Sequence, residues 1–127
     1  MQTPQKCTWE LHGTFFSGSI PTEVTKLQKL TKLFLEENDL TGKIPEAIGR
    51  IKSLESFSVW QNRDMTGTIP DSLYDLASLD HLNLAENNFH GILSSRIGKL
   101  SKLEILSIHN NQFSGTIPSE LGLCDRL

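Results

Sequence analysis

The chain has 127 residues, one domain's worth, and its 37% hydrophobic and 21% charged residues suit a buried core under a charged surface. Its formal net charge of −3 comes without a basic stripe or tail, which excludes the electrostatic footprint of a nucleic-acid binder. No apolar run reaches the roughly 18 to 20 residues that cross a bilayer, so no membrane insertion is expected within this chain.

The N-terminal stretch MQTPQKCTWE lacks the apolar core of a secretory leader. This leaves two readings, a cytoplasmic protein or part of a longer chain whose leader lies elsewhere. The cysteines, Cys7 and Cys124, are too few for a disulfide framework or a zinc site. No cofactor is expected.

From Cys7 onward the chain repeats itself. Glycines at Gly18, Gly42, Gly67, Gly91 and Gly115 are spaced 24, 25, 24 and 24 residues apart, in FFSGSIP, DLTGKIP, DMTGTIP, NFHGILS and QFSGTIP. The first unit, 6–29, is degenerate: Trp9 and Leu11 take the strand positions, Thr14 stands for an asparagine and Phe16 is the last apolar residue. The second, 30–53, carries LTKLFLEENDL; the third, 54–78, LESFSVWQNRDM; the fourth, 79–102, LDHLNLAENNF; the fifth, 103–126, LEILSIHNNQF. Leu127 opens a sixth, so 1–127 reads as a single repeat domain.

Within each unit apolar residues alternate, which is strand periodicity. Leu33 and Leu35, Phe57 and Val59, Leu82 and Leu84, Leu106 and Ile108 are expected to point inward. One apolar face per unit is too small for a core, but stacked neighbours bury a continuous column. The segments around Gly49, Gly98 and Gly122 read as short helical or 3₁₀ turns. The third unit has one extra residue, Arg63 or Asp64, expected as a bulge in a loop. The fourth has Ile92-Leu93-Ser94 in place of x-Ile-Pro, which is expected to loosen that segment.

The columns L-x-x-L-x-L-x-x-N-x-L and L-x-G-x-I-P resemble the plant-type leucine-rich repeat family, found in receptor-like proteins, receptor-like kinases and polygalacturonase-inhibiting proteins. The resemblance spans about Cys7 to Leu127. It implies an α/β solenoid, a right-handed superhelix with a parallel β-sheet on the concave face and with 3₁₀ or helical turns and extended segments on the convex side. It also implies that Asn38, Asn62, Asn87 and Asn111 stack as a ladder satisfying backbone groups at the bend after each strand. The implied function is protein or peptide recognition on the concave sheet of a receptor-like protein, which would face the outside of the plasma membrane. Two other readings stand beside it: inhibition of a secreted hydrolase, and a purely structural scaffold. Such stacks usually carry caps, so the open ends imply a piece of a longer chain, the alternative being a small protein whose edges are covered by end-to-end self-association.

The concave face is expected to be formed by residues between the inward ones. Its stripes run Thr8, Lys32, Ser56, His81, Ile105; then Glu10, Phe34, Ser58, Asn83, Ser107; then His12, Glu36, Trp60, Ala85, His109; then Gly13, Glu37, Gln61, Glu86, Asn110. Phe34 and Trp60 are its outward aromatics, expected as anchors for a partner. Around them Glu36, His12, Lys32, Gln61, His81, Asn83 and His109 complete the candidate surface. His12 and Glu36 are placed as a cross-strand ion pair. Glu37 and Glu86 read as a solvated rim. The histidines are too dispersed for a metal or for a nucleophile with its base, so no catalysis is expected. Cys124 shares a column with Ile51, Leu76 and Leu100 and reads as a small buried hydrophobe.

Overall fold

The computed structural model describes residues 6–127. The first five residues of the stretch read for a leader lie outside the described residues. Each repeat contributes a strand, a bend, a second short strand and a 3₁₀ turn. The first strands are β1 (Cys7–Glu10), β3 (Leu30–Phe34), β5 (Ser56–Ser58), β7 (His81–Asn83) and β9 (Ile105–Ser107). The second strands are β2 (Ser17–Gly18), β4 (Asp39–Gly42), β6 (Asp64–Gly67), β8 (Asn88–Ile92) and β10 (Gln112–Ser114). The 3₁₀ turns cover Thr22–Lys26, Glu46–Arg50, Asp71–Asp75, Ser95–Lys99 and Ser119–Leu123.

All pairings are parallel, and they build two five-stranded sheets ordered β1-β3-β5-β7-β9 and β10-β8-β6-β4-β2. The first sheet is the one expected on the concave face. The second comes from the segments that follow each bend, where extended chain but no sheet is expected.

The core lies between the sheets and the 3₁₀ turns. Leu33, Phe57 and Leu82 enter it from the first sheet, Leu40, Met65 and Phe89 from the second, and Val24, Ile48, Leu73 and Ile97 from the turns; all are buried. Buried Cys124 joins this column. The outermost layers are less covered: Trp9 is 38% exposed, and Leu11, Leu106 and Ile108 are half-buried. Four of the five 3₁₀ turns follow a proline whose φ lies between −65° and −69°. That angle is the one the pyrrolidine ring enforces, and the missing N–H is not needed at the start of a turn.

The asparagines bind successive repeats together. Asn38 Nδ2 donates to Leu35 O of its own strand (3.1 Å) and to Leu11 O of the preceding repeat (2.7 Å). Its Oδ1 accepts from Phe16 N (3.0 Å) and Thr14 N (3.2 Å). Thr14, in the asparagine column of the first unit, adds its own hydroxyl, donating to Leu11 O at 2.8 Å. Asn62 Nδ2 donates to Leu35 O (2.8 Å) and Val59 O (3.0 Å) while Oδ1 accepts from Leu40 N (3.1 Å). Asn111 repeats the pattern with Leu84 O (2.8 Å), Ile108 O (3.2 Å) and Phe89 N (2.9 Å).

Asn87 differs on one side. Its Nδ2 donates to Val59 O (2.9 Å) and Leu84 O (3.1 Å) as the others would, but its Oδ1 accepts from Asn62 N (3.1 Å). The residue that would have used that oxygen, Met65, donates to Asn62 O within its own turn (2.8 Å). This is where the third repeat absorbs its extra residue. The insertion closes a tight turn ahead of β6, and pairing resumes in register at once, with Thr41 opposite Asp64 and Gly42 opposite Met65.

Ser94 corrects a second expectation, that the fourth repeat would be loosened. Its φ of −69° and ψ of 148° match the proline positions, and its Oγ accepts from Arg96 N (3.2 Å), a side-chain cap found at none of the other turns. Its own N–H, which a proline would lack, donates to the Tyr74 hydroxyl (3.3 Å). Tyr74 is 1% exposed and stands in a column where three of the five repeats have glycine. Burial pushes its phenol pKa up. Two departures from the repeat thus answer each other across neighbouring units. Ser94→Pro should cost about 1 kcal/mol, because a buried hydroxyl loses its donor. In a Tyr74→Phe background the same change should cost about 1 kcal/mol less, since the Ser94 Oγ cap is still lost but no buried hydroxyl is left without its donor. Chemical denaturation of the four proteins of this cycle checks the difference; equal effects in both backgrounds would refute the coupling.

Candidate recognition face

The register of the first sheet decides which outward side chains are neighbours. Thr8, Lys32, Ser56, His81 and Ile105 stand opposite one another, as do Glu10, Phe34, Ser58, Asn83 and Ser107. Beyond the strand ends the backbone bonds continue. Gly13 N donates to Glu36 O (3.0 Å), Glu37 N to Trp60 O (2.9 Å), Gln61 N to Ala85 O (3.1 Å) and Glu86 N to His109 O (3.0 Å). These bonds hold the His12, Glu36, Trp60, Ala85, His109 row at sheet spacing, about 4.8 Å between neighbours.

The row then bends sharply. Glu37, Gln61, Glu86 and Asn110 all have left-handed φ between 52° and 56°, in the column where Gly13 has 61°. An L-residue resists this conformation by about 1 kcal/mol. The repeated ladder contacts beneath the bend hold it in place.

The face is less open than the sequence suggested. Phe34 and Trp60, expected as exposed, are half-buried, as are Lys32, Glu36, Gln61, His81 and Asn83; His12 and His109 are exposed. Ser56, Ser58 and Ala85 lie in the outward stripes yet are 7%, 0% and 0% exposed. The rings explain the serines. Phe34 on β3 and His81 on β7 are separated by the whole width of β5, which places their backbones about 10 Å apart. Their ring centroids are only 6.4 Å apart, tilted at 57°. Both rings therefore lean inward over the short serines of β5. Ser56 Oγ finds a partner in Asp80 Oδ1 (3.2 Å). Asn83 is partly engaged locally, its Oδ1 accepting from Ala85 N (3.1 Å).

His12 and Glu36 do not form the expected ion pair. The four ion pairs among the described residues are Lys6–Glu55, Arg96–Asp71, Lys99–Asp75 and Arg126–Glu104. No group of three His, Cys, Asp or Glu side chains among the described residues could hold a metal ion. A separate cleft of about 330 Å³ opens at the first repeat, lined by Trp9, Phe16, Ile20, Val24 and Leu35 among others. It is the apolar layer of that repeat, and its lining carries no titratable side chain. Among the described residues no helix is long and apolar enough to cross a membrane.

Two parallel sheets stacked one repeat at a time, with an asparagine bonding each bend to the previous repeat, define a leucine-rich repeat solenoid. Two family models described as leucine rich repeat match residues 29–51 and 52–113. The chain belongs to the leucine-rich repeat family, in its plant-type form. Among solved structures it is similar to a chain of the Arabidopsis receptor kinase HAESA in complex with the peptide hormone IDA and the co-receptor SERK1, at 32% identity and a TM-score of 0.91 over 98% of this chain. It is similar to the ectodomain of the Arabidopsis receptor kinase SOBIR1, at 32% identity and a TM-score of 0.87 over 93% of this chain. A third likeness is to the plant peptide hormone receptor RGFR1 in complex with RGF2, at 32% identity and 0.85 over 87%. The chain spans 21%, 64% and 18% of those three chains. A search of curated proteins found no match.

Proposed function

We propose that this chain is a protein- or peptide-recognition module of a receptor-like protein, working through its first sheet on the extracellular side of the plasma membrane. The observation that carries the reading is the half-buried pair Phe34 and Trp60, on adjacent repeats of the first sheet. Half-burial holds such rings in one orientation, so little side-chain entropy is lost when a partner covers them. The similar chains support the reading, because two of the structures contain a receptor with its peptide hormone. Stacked repeats commonly bind along this surface.

The test is selection of a displayed library of random 12-residue peptides against the folded chain. Selected peptides should lose at least tenfold in affinity for a Phe34→Ala, Trp60→Ala double variant, as expected for central aromatic anchors. Peptides that bind both proteins equally would place recognition elsewhere.

A further inference from the structure

Resting on that reading, we propose that the partner of the first sheet is an extended peptide segment bearing arginine, whose guanidinium lies against Trp60 among the carboxylates of Glu36, Glu37 and Glu86. The argument is one of charge complementarity. Four carboxylates lie in the outward stripes and their rim, on Glu10, Glu36, Glu37 and Glu86, and one ammonium, on Lys32. Among the described residues none of these five takes part in an ion pair. Of the other acidic residues at the edge of this sheet, Glu55 and Glu104 are each paired with a base, Lys6 and Arg126, and Asp80 accepts from Ser56 Oγ. The face therefore keeps an unneutralised negative field where two of its three acidic outer neighbours cancel theirs, and a field of that kind selects and steers a cation.

Trp60 gives the field a place to act. Glu37 N–H bonds to Trp60 O, so Glu36 and Glu37, just past the end of β3, stand on the repeat next to the indole. Glu86 lies two repeats on from Glu37 in the same rim column, beyond Gln61, and so borders Trp60 from the other side. On that side the row carries the short side chain of Ala85, which is fully buried beneath its neighbours. The indole N–H makes no hydrogen bond among the described residues and is not buried away from solvent. A tryptophan face is the strongest aromatic partner for a cation, and arginine, planar and weakly hydrated, can stack on it while its N–H groups reach flanking carboxylates. The left-handed bends at Glu37 and Glu86 fix where those carboxylates start, so the rim is set before any partner arrives.

The peptide selection described above separates this inference from the broader reading. Two more variants are needed: Trp60→Phe, which keeps the packing but weakens the cation contact, and the isosteric Glu36→Gln, Glu37→Gln, Glu86→Gln triple, each with an unchanged thermal melt as a folding control. The expected result is enrichment of arginine-bearing peptides. Each should lose about tenfold in affinity for the triple variant and for a citrulline version of the peptide, and should weaken as salt is raised. Enriched peptides without an excess of cations, still dependent on Phe34 and Trp60, would overturn this inference while leaving recognition on the sheet intact. Enriched peptides indifferent to every variant, or no enrichment at all, would overturn both.

Discussion

Asn62→Ala should destabilise the fold by about 3 kcal/mol in urea or thermal denaturation, a large share of the roughly 5–15 kcal/mol that holds a domain together. Asn62 is completely buried and sits at the middle of the stack. The loss has two parts. Leu40 N–H gives up its acceptor, and an unpaired buried donor costs about 1–3 kcal/mol. The missing amide also leaves a gap against Leu35 and Val59, whose carbonyls retain bonds from Asn38 and Asn87. Asn62→Asp makes the sharper case. It keeps an oxygen for Leu40 N–H but turns a second acceptor toward two carbonyls. In the folded variant the carboxyl pKa should rise above its unfolded value, because burial and the carbonyls both oppose the anion. The linkage then has a definite sign: above the unfolded value of about 3.9 the folded state binds the proton more tightly, so stability should fall by up to about 1.4 kcal/mol per pH unit. An Asn62→Ala protein within about 0.5 kcal/mol of the parent would refute the bracing role.

Gly49→Ala should be the other costly change, at about 3 kcal/mol, measured in the same way. A Cβ at Gly49 would stand 2.5 Å from Ser72 O, 2.6 Å from Ser72 Cβ and 2.9 Å from Ser72 C, all atoms of the next repeat's 3₁₀ turn. Backbone atoms cannot swing aside as a long side chain can, so the two repeats must separate. Gly122 occupies the same column, and a Cβ there meets nothing within 4 Å. Gly122→Ala should therefore be neutral or stabilise by about 0.5 kcal/mol. Equal effects at the two glycines would show that turn propensity, not the approach of Ser72, sets the outcome.

That contrast also shows what the repeat pattern reveals and what it hides. The column of Thr25, Gly49, Tyr74, Gly98 and Gly122 reads as a glycine preference with exceptions. Whether a given member needs glycine depends on what the next repeat presents to it, which is invisible along the chain. The inward residues Leu33, Phe57 and Leu82 were legible because a period of two marks one face of a strand. The second sheet was not, since its strands are two to five residues long with a glycine inside, at the end or just after, too short for alternation to register. Tyr74 and Ser94 each broke a column in consecutive units, and that coincidence was the one available sign of their contact. On the candidate face, Phe34 and Trp60 were readable as outward aromatics. The covering of Ser56 and Ser58 was not, because it depends on how far two rings lean across a strand. Glu37 and Glu86 looked like bland solvated charge until the backbone placed them beside Trp60.

The turn that takes up the third repeat's extra residue has a consequence for how such a chain can change. Between Asn62 and Asp64 the length differs from that of every other repeat, yet Thr41 still meets Asp64 and the two flanking sheets run on unaltered. The corner there works as an expansion joint. Because closing a longer loop costs little more than closing a short one, material can be added at this corner without altering the pitch of the stack. The length of this corner and the spacing of the repeats can therefore vary independently.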